Sequence, residues 1–167
     1  CMRCHGPPVS PAPRIDPLAH SFHKPGTPGD RCVDCHMPQT VYMARHWRRD
    51  HGFTIPDPLL TKRYGIPNAC NRCHHDKSVD WALEYVDKWY GARMDRPSRA
   101  RAELVARARL GQAGAVPGLV QVARTDPVPL WRATASILLR PWAMETNVLA
   151  CLLERTADPE PLVRAYA

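Results

Sequence analysis

The sequence has no run of apolar residues long enough to cross a bilayer, which excludes a membrane-spanning helix from these 167 residues. Phenylalanine is nearly missing, with only two residues. From Gly6 to Pro28 there is hardly any amphipathic periodicity, and a stretch of that kind cannot build a core from its own side chains. No basic stripe with interleaved stacking aromatics is present, so the formal charge of +7 does not point to nucleic acid. An initiator Met and a leader are missing too. Opening on a cysteine and breaking off inside a helical pattern, the chain reads as cut at both ends, and the missing leader says nothing of location.

What is present is a pentapeptide that occurs three times: Cys1-Met2-Arg3-Cys4-His5, Cys32-Val33-Asp34-Cys35-His36 and Cys70-Asn71-Arg72-Cys73-His74. Two thiols separated by two residues can reach both vinyl groups on one porphyrin edge, and the imidazole that follows then lies over the iron. The spacing therefore predicts three covalently bound haems c, tethered at Cys1, Cys4, Cys32, Cys35, Cys70 and Cys73, with His5, His36 and His74 as proximal iron ligands. Zinc is the competing reading. A closed zinc site takes four ligands, so such pairs should come in twos, and nothing about zinc fixes a histidine after every second cysteine. A disulfide framework is weaker still. The seventh cysteine, Cys151, stands among Val148, Leu149, Ala150, Leu152 and Leu153 and reads as a buried small hydrophobe.

Haem also resolves the compositional conflict. Three apolar macrocycles supply the core that the residues lack, so this segment should fold only with its cofactor. Their propionates would add about six negative charges and nearly cancel the basic surplus. Arg45, Arg48, Arg49, Arg63 and Arg72 are candidate propionate partners. Thioether attachment takes place outside the cytoplasm, which predicts a periplasmic or cell-surface location.

The fold class expected is mainly α: a loop-rich multihaem cytochrome c segment followed by an α-solenoid of HEAT-like helix pairs. Residues 1–76 form the trihaem segment, short helical turns at each pentapeptide joined by Pro-rich loops. Residues 77–96 are a connecting helix and turn: Ser78 caps a helix with Trp81, Ala82, Tyr85, Val86 and Trp89 at helical spacing, ended by Gly91. In residues 97–167 a repeat appears. Asp126-Pro127-Val128-Pro129-Leu130-Trp131-Arg132-Ala133 matches Asp158-Pro159-Glu160-Pro161-Leu162-Val163-Arg164-Ala165, 32 residues on. Leu and Ala should face inward and the Arg should reach back to the interhelix turn, as in stacked helix pairs; more repeats should follow Ala167.

Five histidines remain for the second axial position: His20, His23, His46, His51 and His75. His20 and His23, three residues apart, would point the same way from a helical turn, toward two closely packed haems. His51 has Asp50 beside it. His75 abuts a proximal ligand and reads as surface; His46 is ambiguous on the residues alone. Met37 cannot reach the far face of its own haem, and Met43, Met94 and Met144 read as packing. Three haems and three suitable histidines make bis-histidine ligation by His20, His23 and His51 the economical assignment, with lower potentials than His/Met ligation would give.

The run His20-x-x-His23, Cys32-Val33-Asp34-Cys35-His36-Met37-Pro38, Tyr42-Met43, Arg48-Arg49-Asp50-His51-x-Phe53, Pro67-Asn68-Ala69-Cys70-Asn71-x-Cys73-His74, Trp81-Ala82 and Trp89-Tyr90-Gly91 resembles the C-terminal haem region of large bacterial multihaem cytochromes c of the cytochrome c554-like group. Members often carry HEAT or TPR repeats after the haems. The resemblance covers residues 1–92 closely and the repeats loosely. It implies electron transfer, supports His20, His23 and His51 as distal ligands, and implies further haem motifs upstream of Cys1. The expected partners are redox proteins or neighbouring haem subunits in an oligomer or larger complex. No catalytic residue is assigned. An electron carrier is favoured over a nitrite- or hydroxylamine-type oxidoreductase, which needs an iron with an open position, and over an assembly module docked through the repeats.

Overall fold

The structure, a computed structural model, describes residues 15–167. Cys1, Cys4 and His5 lie outside the described residues. The fold is mainly helical, with one two-stranded sheet. By its internal contacts the chain divides into two units between Ala92 and Arg93. No helix among the described residues is long and apolar enough to cross a membrane.

The first unit is built of short elements whose ends are written in the sequence. Asp16 opens α1 (Pro17–Ser21), its carboxylate accepting from the Leu18 and Ala19 amides at 3.0 and 3.3 Å, and Phe22 closes it in the left-handed region at φ 56°. The second pentapeptide is itself a helical turn, α2 (Cys32–His36). An antiparallel hairpin follows, β1 (Gln39–Tyr42) and β2 (His46–Arg49), with Val41 opposite Trp47. Its turn carries Met43 and Ala44 at φ 51° and 56°, the pair of positive angles that a tight hairpin turn requires. Asp57 caps α3 (Pro58–Tyr64), which Gly65 ends at φ 69°. The third pentapeptide forms α4 (Cys70–Cys73). Ser78 then caps α5 (Val79–Tyr90), accepting from the Trp81 amide at 3.1 Å, and Gly91 ends it as the sequence predicts.

Apolar burial is thin in this unit. Among its described residues the buried apolar side chains are Pro58, Leu60, Ala69, Ala82 and Val86, mostly where α5 packs on α3. The hairpin is almost wholly exposed, including Val41, Tyr42, Met43 and Trp47. Two strands alone are marginal in water. Tertiary contacts therefore have to hold this one, as described below.

The second unit carries its own core. Helices α6 (Pro97–Arg109), α7 (Val116–Thr125), α8 (Pro129–Leu139), α9 (Thr146–Arg155) and α10 (Pro161–Tyr166) bury Ala115, Val116, Leu119, Ala123, Ala135, Leu139, Val148 and Cys151. Cys151 is fully buried, as its apolar neighbours predict. The sequence repeat is repeated as contacts. Asp126 Oδ1 accepts from the Val128 amide at 2.9 Å, and Asp158 Oδ1 accepts from the Glu160 amide at 3.0 Å. Arg132 donates back to the Asp126 carbonyl at 2.9 Å, and Arg164 to the Asp158 carbonyl at 2.7 Å. Each arginine thus reaches back to its own interhelix turn. A second link joins successive copies: Arg101 pairs with Asp126 at 2.9 Å, and Arg132 grips Asp158 through two nitrogens at 3.0 and 2.8 Å.

The Asp158 carboxylate is 1% exposed and also takes Arg155 at 2.9 Å. Hydrogen bonds from Arg132, assisted by the Glu160 amide and the charges of Arg132 and Arg155, outweigh burial and push the carboxyl from 3.8 down to about 2. A depressed folded-state value means stability that is complete above the unfolded value and is lost as pH falls toward the folded one. The second unit should therefore lose stability between about pH 4 and pH 2 through this group. Asp158→Ala, which strands Arg132 without its partner, should cost about 3 kcal/mol in urea unfolding at pH 7. It should also flatten the acid limb of the stability profile.

Candidate functional site

Both described pentapeptides are single helical turns, which brings cysteines three residues apart to one side and leaves the histidine at the carboxyl end. Each turn is braced from outside. Arg49, at the end of β2, donates to the Val33 and Met37 carbonyls at 2.9 and 3.1 Å and pairs with Asp34 at 2.8 Å. The same residue thus ties the hairpin to α2. Arg49, one of the candidate propionate partners, has its guanidinium engaged by the backbone and carboxylate of the second pentapeptide. Around α4 the brace is an amide network. Buried Asn68 donates to Thr61 Oγ1 at 2.8 Å and to Asn71 Oδ1 at 3.0 Å, while Asn71 donates to the Lys77 carbonyl at 3.0 Å.

The four cysteines of the described pentapeptides form no disulfide. Burial is the first cause raising the Cys35 thiol, followed by the negative charges of Asp34, Cys73 and Cys32. Burial likewise pushes the Cys70 thiol up to about 11, with the Cys35 charge next. Among the described residues no three His, Cys, Asp or Glu side chains gather as a closed zinc site needs.

The histidines are arranged in two pairs. His20 lies across from His36, ring centroids 6.0 Å apart and planes within 16° of parallel. His23 lies across from His74 at 6.2 Å with planes tilted 39°. Metal–imidazole bonds of about 2 Å, plus about 1.2 Å from nitrogen to ring centre, put two imidazoles on opposite faces of one iron about 6.3 Å apart. The spacing fits haem. Two of the rings have a fixed tautomer as well. A carbonyl can only accept, so His36 Nδ1 donates to the Thr54 carbonyl at 2.8 Å and His23 Nδ1 donates to the Ser21 carbonyl at 2.5 Å. Nε2 of each is thereby left without a proton and able to bind a metal.

The aromatic face of α5 runs along these rings. Trp81 lies 4.8 Å from His74, Tyr85 4.7 Å from Trp81, and Trp89 5.3 Å from Tyr85. Trp89 then stacks on Phe22 at 4.7 Å, and the Tyr90 hydroxyl donates to the His20 carbonyl at 2.5 Å. The left-handed Phe22 is the hinge that turns both His20 and His23 toward the pentapeptides. Phe53, also at positive φ (50°), lies parallel to His36 at 5.2 Å. His51 is exposed, and Asp50 accepts from the Gly52 amide at 2.8 Å; the structure brings His51 to neither His36 nor His74. His46 and His75 are exposed.

Paired histidines at an iron-spanning distance, beside Cys-x-x-Cys-His turns, fit a multihaem c-type cytochrome. The cytochrome c552 family matches residues 18–116, more than half of the chain, and this chain belongs to that family. No curated protein and no solved structure matches it. The matched span contains both described pentapeptides together with His20, His23 and His51. Membership carries covalently bound haem c and electron transfer with it.

The two arginines of β2 should separate in their effects. Arg49→Ala removes three contacts to α2 and should lower the stability of the haem-loaded protein by about 2 kcal/mol in denaturant titration. Arg48→Ala, which loses only an exposed stack over Tyr42 at 5.2 Å, should cost about 0.5 kcal/mol.

Proposed function

We propose that this chain passes electrons through three thioether-bound haems whose irons are each closed by two imidazoles. His20 serves the iron on His36, His23 serves the iron on His74, and His51 serves the haem at Cys1, Cys4 and His5. The observation that carries this reading is the pair of ring separations, 6.0 and 6.2 Å. Each joins one spare histidine to one pentapeptide histidine.

Bound haem supplies a one-electron ferric–ferrous couple. The residues supply what surrounds it. Ser21 and Thr54 carbonyls hold His23 and His36 in one tautomer, so neither ring has to reorient when the charge changes. His20 and His23, three residues apart in the chain, keep the two redox centres close, as hopping requires. Two imidazoles set the potential below that of His/Met ligation. The chain acts outside the cytoplasm, in the periplasm or at the cell surface, handing electrons to redox partner proteins or neighbouring haem subunits. The helical repeats form a HEAT-like solenoid, the arrangement of the c554-like group, and give the assembly a docking surface.

Intact mass under denaturing conditions should exceed the polypeptide by three haems, and the ferric spectrum should be low-spin throughout. His20→Ala and His23→Ala should each open one iron to carbon monoxide in the reduced protein, the double variant two, and His46→Ala none. A carbon-monoxide-binding haem in the unaltered chain would overturn the carrier reading in favour of a small-molecule oxidoreductase.

A further inference from the structure

Gly29 stands in the 3-10 turn Pro28–Asp30, directly before the second pentapeptide. A methyl group at this glycine would lie 2.1 Å from His23 Cδ2, 2.4 Å from Cγ and 2.6 Å from Nε2. Real carbon atoms do not approach so closely, so the imidazole lies flush against a backbone that has no side chain. Rotation of the ring about its own axis does not relieve the contact, because Cγ lies on that axis and stays in place. Only rotation about the Cα–Cβ bond would clear it, and that motion carries Nε2 away with the whole ring. On the other side the ring is held by the Ser21 carbonyl at 2.5 Å, and Trp89 meets it edge-on at 6.2 Å.

We propose that Gly29 is a positioning residue for the His23–His74 iron: its missing side chain is the space in which the His23 imidazole is seated. This rests on His23 being an axial ligand. The glycine acts on one iron only, since His20 reaches His36 from the other end of the same turn. It is also a steric requirement and not a conformational one. Gly29 has no positive φ, whereas Gly26 in the same loop, at φ 80°, has open space where its methyl would go.

The test uses the haem-loaded protein with Gly29→Ala, His23→Ala, Gly26→Ala and the double variant His23→Ala/Gly29→Ala. Reduced Gly29→Ala should bind one equivalent of carbon monoxide where the unaltered protein binds none. In its ferric form one haem should turn high-spin, and added imidazole should restore the six-coordinate spectrum. Gly26→Ala should keep every haem low-spin. The double variant should match His23→Ala alone in yield and in carbon monoxide uptake, because without the ring the methyl meets nothing. If Gly29→Ala does not accumulate while the double variant does, the clash with the ring is established by yield. If His23→Ala opens an iron and Gly29→Ala stays fully six-coordinate, the role of Gly29 is overturned while the ligand assignment stands. A double variant that fails to accumulate where His23→Ala does overturns it as well. If His23→Ala opens no iron, the ligand assignment itself fails, and the proposal with it.

Discussion

An iron closed on both faces by imidazole requires two histidines from separate parts of the chain to be held about 6 Å apart, with nothing of the protein between them. On the ligation proposed above, most of the first unit is the means of meeting that requirement twice within one small volume. The pentapeptide turns fix His36 and His74. The α1 turn, capped by Asp16 and reversed at Phe22, presents His20 and His23 in opposition to them. The aromatic end of α5 joins the two sides, through Trp89 on Phe22 and Tyr90 on the His20 carbonyl. Helix α5 serves as the rear wall of the haem region and is counted within the first unit.

The two units draw their stability from different sources. The second buries a contiguous set of Leu, Val and Ala side chains and repeats an Asp–Arg clamp at each interhelix turn, so its residues are sufficient to specify it. The first buries few apolar side chains, and its ring contacts gather around His20, His23, His36 and His74. Apolar macrocycles held by those same residues would supply the missing core, so that folding and cofactor attachment are one process there.

Much of this was legible in the residues. The pentapeptides, the cap at Ser78, the stop at Gly91 and the back-reaching Arg132 and Arg164 all follow from local spacing. His20 and His23 do face the pentapeptides, but not as two positions of one helical turn: α1 ends at Ser21, and the left-handed Phe22 reverses the chain before His23. Other features left no local signal. The hairpin over residues 39–49 alternates in sequence, Val41 and Trp47 against Thr40 and Arg48, but its Met43-Ala44 turn lacks the Asn or Gly that usually marks one. Arg49 reads as one basic residue among several near the haems. Only tertiary proximity to Val33, Asp34 and Met37 distinguishes it, across 12 to 16 positions of sequence.

The fixing of the imidazoles by backbone carbonyls explains why this part of the site is hard to see in a sequence. Carboxylates are common second partners of metal-bound histidines, and Asp50 beside His51 invites that reading. The structure uses Ser21 and Thr54 carbonyls instead, and spends Asp50 on the Gly52 amide. A carbonyl is present at every residue, so the identity of position 21 or 54 carries no signal, and what matters is the backbone path that aims it. Phe22 and Phe53, the residues that follow Ser21 and precede Thr54, both take positive φ, which costs on the order of 1 kcal/mol or more for a bulky side chain. Both rings stack beside the histidine system, Phe22 on Trp89 and Phe53 on His36. Aromatic packing thus offsets the strain, and the strained angles deliver the two carbonyls to their imidazoles. The two phenylalanines of this chain both serve that purpose.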